Sequence, residues 1–441
     1  MELIEMKKNM DDQQQIEEQQ EAIEVIQKKL LGKKLTYKEI YTVMDEIAHN
    51  RLGQVLTTYF AASGYSHGFT NEELYYLTKA MVQTGDQLTW DKKIIADKHS
   101  IGGVPGTRTT MIVVPIVAAA GFTIPKSSSR AITTPDGTAD DMEVLAGVEF
   151  TKEQLYSIVR HANACIVWGG SVNIAPADDI LIHVEKPLLF ESYDKILVSI
   201  MAKKVAFGSN HIVIDLPYGK SVKLHHRNDA EILKNKFEYL AHRFGIKLIC
   251  LLHETHEPVG RGIGPVLETR DALYVLEQSV LRPIDLEDRA LRLSATLLKL
   301  CLEDADQTLQ EHVEKEFGNT HKWAQELLTS GKALEKMREI VTTQGGSSYF
   351  SSEKLTKQLG EHTVTFKSPT TGMISEINSS NTSAIAKILG APKDKGAGIY
   401  FEKKIGDKVQ KGDVLFTLYA KSVYNLKEAK ESLGSFPLLK F

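Results

Sequence analysis

Cysteine is scarce in this chain. Three residues, Cys165, Cys250 and Cys301, among 441 allow no even-numbered disulfide framework, and their spacing fits no metal-ligand pattern. They read as buried thiols of a reducing compartment. No apolar run reaches the roughly 18 to 20 residues that a membrane-spanning helix needs. The first residues are polar and acidic, not the basic and then apolar order of a secretory signal. The expected location is the cytoplasm, with no membrane partner. A basic surplus is missing too. The net charge is −4, whereas a general nucleic-acid binder shows a basic stripe or patch. Nucleic acid is not an expected partner, and any anion site must be local.

What is present is the composition of a globular protein, 42% hydrophobic and 25% charged. The chain is too long for one ordinary core, so two or three domains are expected.

The densest chemistry lies at Asp97-Lys-His-Ser-Ile-Gly-Gly-Val-Pro-Gly106. Lysine, histidine and serine stand consecutively, and the glycines after them let backbone approach an anion closely. Thr107 to Gly121 reads as a buried helix opening from this loop, its free N–H groups turned to whatever the loop holds. A second polar turn, Ser127-Ser-Ser-Arg-Ala-Ile-Thr-Thr-Pro-Asp-Gly-Thr138, leads into another helix-like run, 139 to 146. A lone Gly-Gly-x-x-Gly turn is commonly plain turn chemistry. Here Lys98, His99, Ser100, Ser128, Arg130 and Thr138 gather around two such turns, which points to one shared phosphate site.

These two stretches, Asp97 to Val104 and Ser128 to Glu143, resemble the paired signature of the thymidine and pyrimidine-nucleoside phosphorylase family. The wording is closest to the branch of nucleoside monophosphate phosphorylases and their bacterial thymidine phosphorylase relatives. The resemblance runs from about Leu35 to Leu426. It implies a small all-helical domain, a large mixed α/β-sheet domain with a cleft between them, and a C-terminal barrel-sandwich-like α+β domain. The long monophosphate-using relatives carry an extra N-terminal domain, which the resemblance here does not include.

The chain divides accordingly. Residues 1–34 read as a tail running into a helix. Residues 35–95 carry apolar residues at helical spacing, with Asn71 as a cap, and 176–206 return to this helical domain. Residues 96–175 and 207–345 alternate helix and strand, the pattern of a parallel or mixed sheet with helices on both faces. The apolar segment 90–96 is the expected strand that delivers Lys98. Residues 346–441 form the C-terminal domain, where from about Thr363 the pattern turns Gly-rich and β-like, resembling lipoyl and biotinyl modules but lacking their exposed carrier lysine.

Other motifs carry less. Pro217-Tyr-Gly-Lys-Ser lacks the first glycine of a P-loop, that place being Ile214. His253-Glu-Thr-His-Glu lacks the spacing of a helical zinc site and is expected in a solvated loop, and no metal is expected. Gly260-Arg-Gly-Ile-Gly reads as a packing turn.

The resemblance implies roles for individual residues. Lys98, Ser100, Thr109, Ser128 and Thr138 would bind phosphate. Gly103 and the loop Ser129, Arg130, Ala131, Ile132, Thr133 and Thr134 would line the nucleoside or nucleotide. Ser199 and Lys203, four apart on one helix face, would recognise the base, and Lys223 matches a nucleotide-contacting lysine of the monophosphate branch. His99 and Glu191 are the candidates for protonating the leaving base, Glu191 standing where that branch has aspartate. Where thymidine phosphorylases place an arginine against the base, this chain has Val184, with Lys186 nearby.

The implied reaction is phosphorolysis of thymidine to thymine and 2-deoxy-α-D-ribose 1-phosphate. A nucleoside monophosphate phosphorylase, giving free base and ribose 1,5-bisphosphate, is the alternative. A non-catalytic nucleotide-binding or carrier protein is the remote one. No cofactor is implied, phosphate being a co-substrate, and the family precedent is a homodimer through the helical domain.

Overall fold

The computed structural model describes residues 2–185, 192–220 and 222–441, the side chains of residues 2–14 excepted. Glu191 and Lys186 lie outside the described residues. Two compact units emerge, Met1–Trp90 with Gly169–Ser209 and Asn235–Ile246, and Asp91–Trp168 with Asn210–Lys234 and Lys247–Phe441.

The first unit is helical. Glu2–Leu30 is one continuous helix, and Ala22, Val25, Ile26 and Lys29 form its buried stripe, the i, i+3, i+4, i+7 spacing of a helix with one apolar face. Tyr37–Ala48 buries Ile40, Val43, Met44 and Ile47 by the same rule. The helix Asn71–Gln83 is capped by Thr70 rather than by Asn71. Glu73 Oε2 accepts from the Thr70 backbone N–H at 2.8 Å while Thr70 Oγ1 accepts from the Glu73 N–H at 3.2 Å, so threonine and glutamate three apart close a capping box, whereas three positions after Asn71 stands Leu74, which has no carboxylate to offer. The other oxygen of Glu73 accepts from buried Lys29 at 2.9 Å and from the Leu35 N–H at 3.1 Å, fastening the first helix to this one. Val55 and Tyr59 stand on the outer face of Gly53–His67, 70% and 53% exposed.

The second unit is built on parallel strands: β1, Ala96–Ser100; β2, Ile124–Ser128; β3, Ala164–Trp168; β4, His211–Tyr218; and β5, Lys247–Glu254. β1, β4 and β5 pair in that order and β2 pairs with β3. A parallel bridge between Ile95 and Thr123 joins the two ladders, giving the order β3-β2-β1-β4-β5. Connections run outward to one side from β1 and to the other from β4. Such a switch point opens a crevice at the carboxyl ends of the two strands, here Ser100 and Asp215. The strand expected at 90–96 is displaced to 96–100. Its polar sequence, Ala-Asp-Lys-His-Ser, hides a segment whose first three residues are wholly buried. Thr110–Ala119 is apolar on every side and buried throughout Thr110 to Ala118, as a helix within a two-faced α/β core must be.

The C-terminal segment carries an antiparallel sheet whose core includes Ile374, Ile385, Ile399, Phe401 and Leu418. Gly262–Ile263, from the stretch read as a packing turn, is a strand of this sheet, Ile263 pairing with Ile399 and Gly262 with Tyr400. Asp271 holds the turn open for that pairing by accepting from the N–H groups of Arg261 and Gly262, both at 2.7 Å. Among the described residues no helix is long and apolar enough to cross a membrane.

Candidate active site

Lys98 and Ser100 share one face of β1, and His99 takes the other. The Lys98 side chain is 1% exposed and donates to three hydroxyls, Thr109 Oγ1 at 2.7 Å, Ser100 Oγ at 2.8 Å and Thr110 Oγ1 at 3.4 Å. Among the described residues it makes no ion pair with a carboxylate. Burial pushes its ammonium down to about 8, against the pull of Asp215. A buried cation in a ring of neutral hydroxyls is poorly compensated, and a dianion arriving beside it supplies what the hydroxyls lack.

The glycine turn that follows has positive φ at Gly102, Gly103 and Gly106. Two of these glycines answer to close contacts. A Cβ on Gly103 would stand 2.8 Å from Lys223 Cγ and 3.0 Å from its backbone nitrogen, and one on Gly106 would fall 1.9 Å from the Val259 carbonyl oxygen. Gly103 and Lys223, both read as nucleotide-lining, are thus brought together.

The second turn runs from Ser128, the last residue of β2, to Thr138, the first of the short helix Thr138–Met142. The run expected to be helical through 146 stops at Met142. Ser128 Oγ is buried and has no hydrogen-bond partner among the described residues, and so is Thr107 Oγ1 on the first turn. Buried hydroxyls are seldom left so. Asp140 shapes the loop by accepting from the N–H groups of Ala131 at 2.7 Å and Gly137 at 2.9 Å, and Thr134 Oγ1 donates to the Asp136 carbonyl at 2.7 Å. The Arg130 guanidinium is engaged by Asp140, Glu143 and Glu149 at 3.2, 2.9 and 2.7 Å and lies over the Trp168 ring. Arg130 holds the Glu143 carboxyl down to about 2. Its charge braces the loop, whose Ile132 and Thr133 are exposed while their carbonyls accept from Lys387.

Ser199 and Lys203 belong to the first unit, on the helix Tyr193–Ala206. They converge there on one carboxylate, Ser199 Oγ donating to Asp178 Oδ2 at 2.8 Å and Lys203 Nζ reaching the same oxygen at 2.7 Å. Burial works to lower the lysine, and Asp178 and Asp179 outweigh it, holding the ammonium above its ordinary range.

Several residues escaped the sequence reading. Asp215, 1% exposed, accepts from Ser100 Oγ at 2.6 Å and pairs with Arg289 Nη2 at 3.2 Å and His253 Nδ1 at 3.1 Å. His253 is on β5, not in a solvated loop. The parallel register sets it two residues past the partner of Asp215, on the same face of the sheet. Burial works to raise the Asp215 carboxyl, but Arg289, His253 and Lys98 together hold it far below the carboxylate range. Arg108 was missed as well. It pairs with buried Asp136, Asp141 and Glu268 at once, so the close cluster of these three buried carboxylates holds a guanidinium. One cation cannot balance three buried carboxylates. Burial raises Asp141 and Glu268 well above their ordinary values despite Arg108, and the neighbouring carboxylates add to it.

Comparison with known proteins agrees with this architecture. The profile described as glycosyl transferase family, helical bundle domain, matches residues 23–85; the glycosyl transferase family, a/b domain, matches 92–334; and the pyrimidine nucleoside phosphorylase C-terminal domain matches 373–435. An AMP phosphorylase of Methanococcus vannielii is 42% identical over 412 residues, 93% of this chain and 79% of the relative. One of Thermofilum pendens is 43% identical over 419 residues, 95% and 78%. A Bradyrhizobium protein named "Putative thymidine phosphorylase" is 42% identical over 399 residues, 90% and 75%. In fold the chain is similar to anthranilate phosphoribosyltransferase of Thermus thermophilus, with a TM-score of 0.60 and 16% identity over 73% of this chain and 99% of that one. With its helical, α/β and C-terminal parts all matched, the chain belongs to the pyrimidine-nucleoside phosphorylase family of glycosyl transferases and is a pentosyltransferase.

Proposed function

We propose that this pentosyltransferase cleaves thymidine with inorganic phosphate, giving thymine and 2-deoxy-α-D-ribose 1-phosphate. The observation that carries the phosphate half is the buried Lys98 ammonium in its ring of hydroxyls, with the Ser128 hydroxyl on the second turn buried and without a partner among the described residues. In this reading Lys98, Ser100, Thr109, Ser128 and Thr138 hold the phosphate beneath the sugar. Positive charge develops on the ring as the base departs, and the held dianion stabilises it. His99 or Glu191 supplies the proton that the leaving base needs, Ser199 and Lys203 recognise the base, and Gly103 with the loop 129–134 lines the nucleoside. Phosphate is the co-substrate, and the enzyme works as a cytoplasmic homodimer.

A second reading takes a nucleoside monophosphate and yields ribose 1,5-bisphosphate. The backbone and stem of Lys223 lie against Gly103, and this favours it, because a lysine carried on that segment has the reach and charge to meet a second phosphate. Base release is to be measured with and without phosphate from thymidine, uridine, AMP and CMP in turn. Phosphate-dependent release from thymidine supports the first reading, and release confined to the monophosphates replaces it with the second. No phosphate-dependent release from any of them would sink both readings.

A further inference from the structure

Ser100 has one hydroxyl proton, and Asp215 takes it. The serine oxygen donates to Asp215 Oδ2 at 2.6 Å and accepts from Lys98 Nζ at 2.8 Å. It offers its lone pairs to the lysine because its proton points to the carboxylate. Asp215 faces Ser100 directly in the parallel register, at the switch point of the sheet, and is itself fixed by Arg289 and His253.

We propose that Asp215 is a positioning residue for the phosphate site: it accepts the hydrogen bond of the Ser100 hydroxyl, turns the serine's lone pairs to Lys98, and acts as counter-charge to that buried ammonium until phosphate arrives. The proposal rests on the reading of Lys98 and Ser100 as phosphate ligands. Asp215 acts through those two residues and not on the reactants.

The charges around Lys98 make this testable. Asp97 stands beside it on β1, Asp215 on β4, Arg289 on the helix Ile284–Leu302 and Arg108 on the glycine turn, with His253 behind Asp215 and Lys126 near Asp97. Burial lowers the lysine, Asp215 opposes that most strongly, and the two arginines add to the lowering. Asp215→Asn therefore leaves Lys98 to lose its proton at lower pH. The same change removes a negative charge that repels phosphate at every pH. Loss of the lysine's proton weakens binding only above its titration, so the variant's affinity crosses that of the wild type. Arg289→Gln acts the other way. It removes a cation and releases Asp215 toward the lysine, so the titration moves up.

The experiment is calorimetric titration of the full chain with inorganic phosphate from pH 6 to 9.5, for wild type, Asp215→Asn and Arg289→Gln, with KM for phosphate and kcat measured in parallel. Phosphate's own titration is common to all three and cancels in their ratios. Asp215→Asn is expected to bind phosphate at least as well as wild type at pH 6.5 and about tenfold more weakly at pH 8.5, with its midpoint about one pH unit lower. Arg289→Gln, which tests the proposal should Asp215→Asn fail to fold, is expected to move the midpoint upward. Parallel profiles for wild type and Asp215→Asn, a downward shift in Arg289→Gln, or a wild type that binds no phosphate would each overturn the proposal. A wild type that binds phosphate with these shifts but releases no base would sustain it and sink the phosphorolysis reading alone.

Discussion

Arg108 donates to the carboxylate of Asp136, and that pair fastens the glycine turn after β1 to the hydroxyl-rich turn after β2. Asp141 and Glu268 lie against the same guanidinium. Arg108→Met leaves three carboxylates buried without a cation, which is expected to cost about 3–5 kcal/mol at neutral pH, read from denaturant unfolding.

The same cluster sets a slope of stability with pH. Asp141 and Glu268 have folded values above their unfolded ones, so the folded state binds more protons. Their contribution is whole below the ordinary carboxyl range and is lost as pH rises through the folded values. Glu268→Gln is expected to flatten the fall in melting temperature above that range; an unchanged slope would show that the proton resides elsewhere.

Lys98→Met replaces the buried ammonium by an apolar chain of similar length. Phosphorolysis is expected to fall by about a thousandfold or more while the melting temperature holds or rises, since an incompletely compensated charge has left the core. Near-normal turnover would remove Lys98 from the site.

Ser128→Ala separates function from stability. Among the described residues the hydroxyl has no partner to lose, so stability is expected to stay level or improve, whereas KM for phosphate rises about tenfold, the worth of one hydrogen bond of about 1.4 kcal/mol. A matched loss of stability would make Ser128 a packing residue.

Lys223→Met distinguishes the substrates. If the substrate carries a 5′-phosphate, its KM is expected to rise about tenfold or more with little change in kcat. If thymidine is the substrate, both constants stay within about twofold. Steady-state kinetics on thymidine and AMP decide between them.

The two turns were legible in the sequence because their glycines and hydroxyls are local neighbours and keep their chemistry whatever surrounds them. The helical unit was legible from the spacing of Ile40, Val43, Met44 and Ile47. Asp215, His253 and Arg289 were not, because each reaches the site from a different element, and only the register of β1, β4 and β5 makes neighbours of them. β1 was misplaced because this buried strand carries aspartate, lysine, histidine and serine where apolar residues usually announce a strand. Asp178 stayed hidden because the spacing of Ser199 and Lys203 declares a shared face but not what that face meets.

The pairing of Ile263 with Ile399 spans 136 positions of chain. During synthesis from the N-terminus, the turn at Gly260 to Gly264 leaves the ribosome long before its partner strand exists. Until the last third of the protein has been made, Gly262 and Ile263 present an open edge to other chains. Completion of the α/β unit therefore waits on the C-terminus, and a chain ended early would be marked as unfinished by that exposed edge.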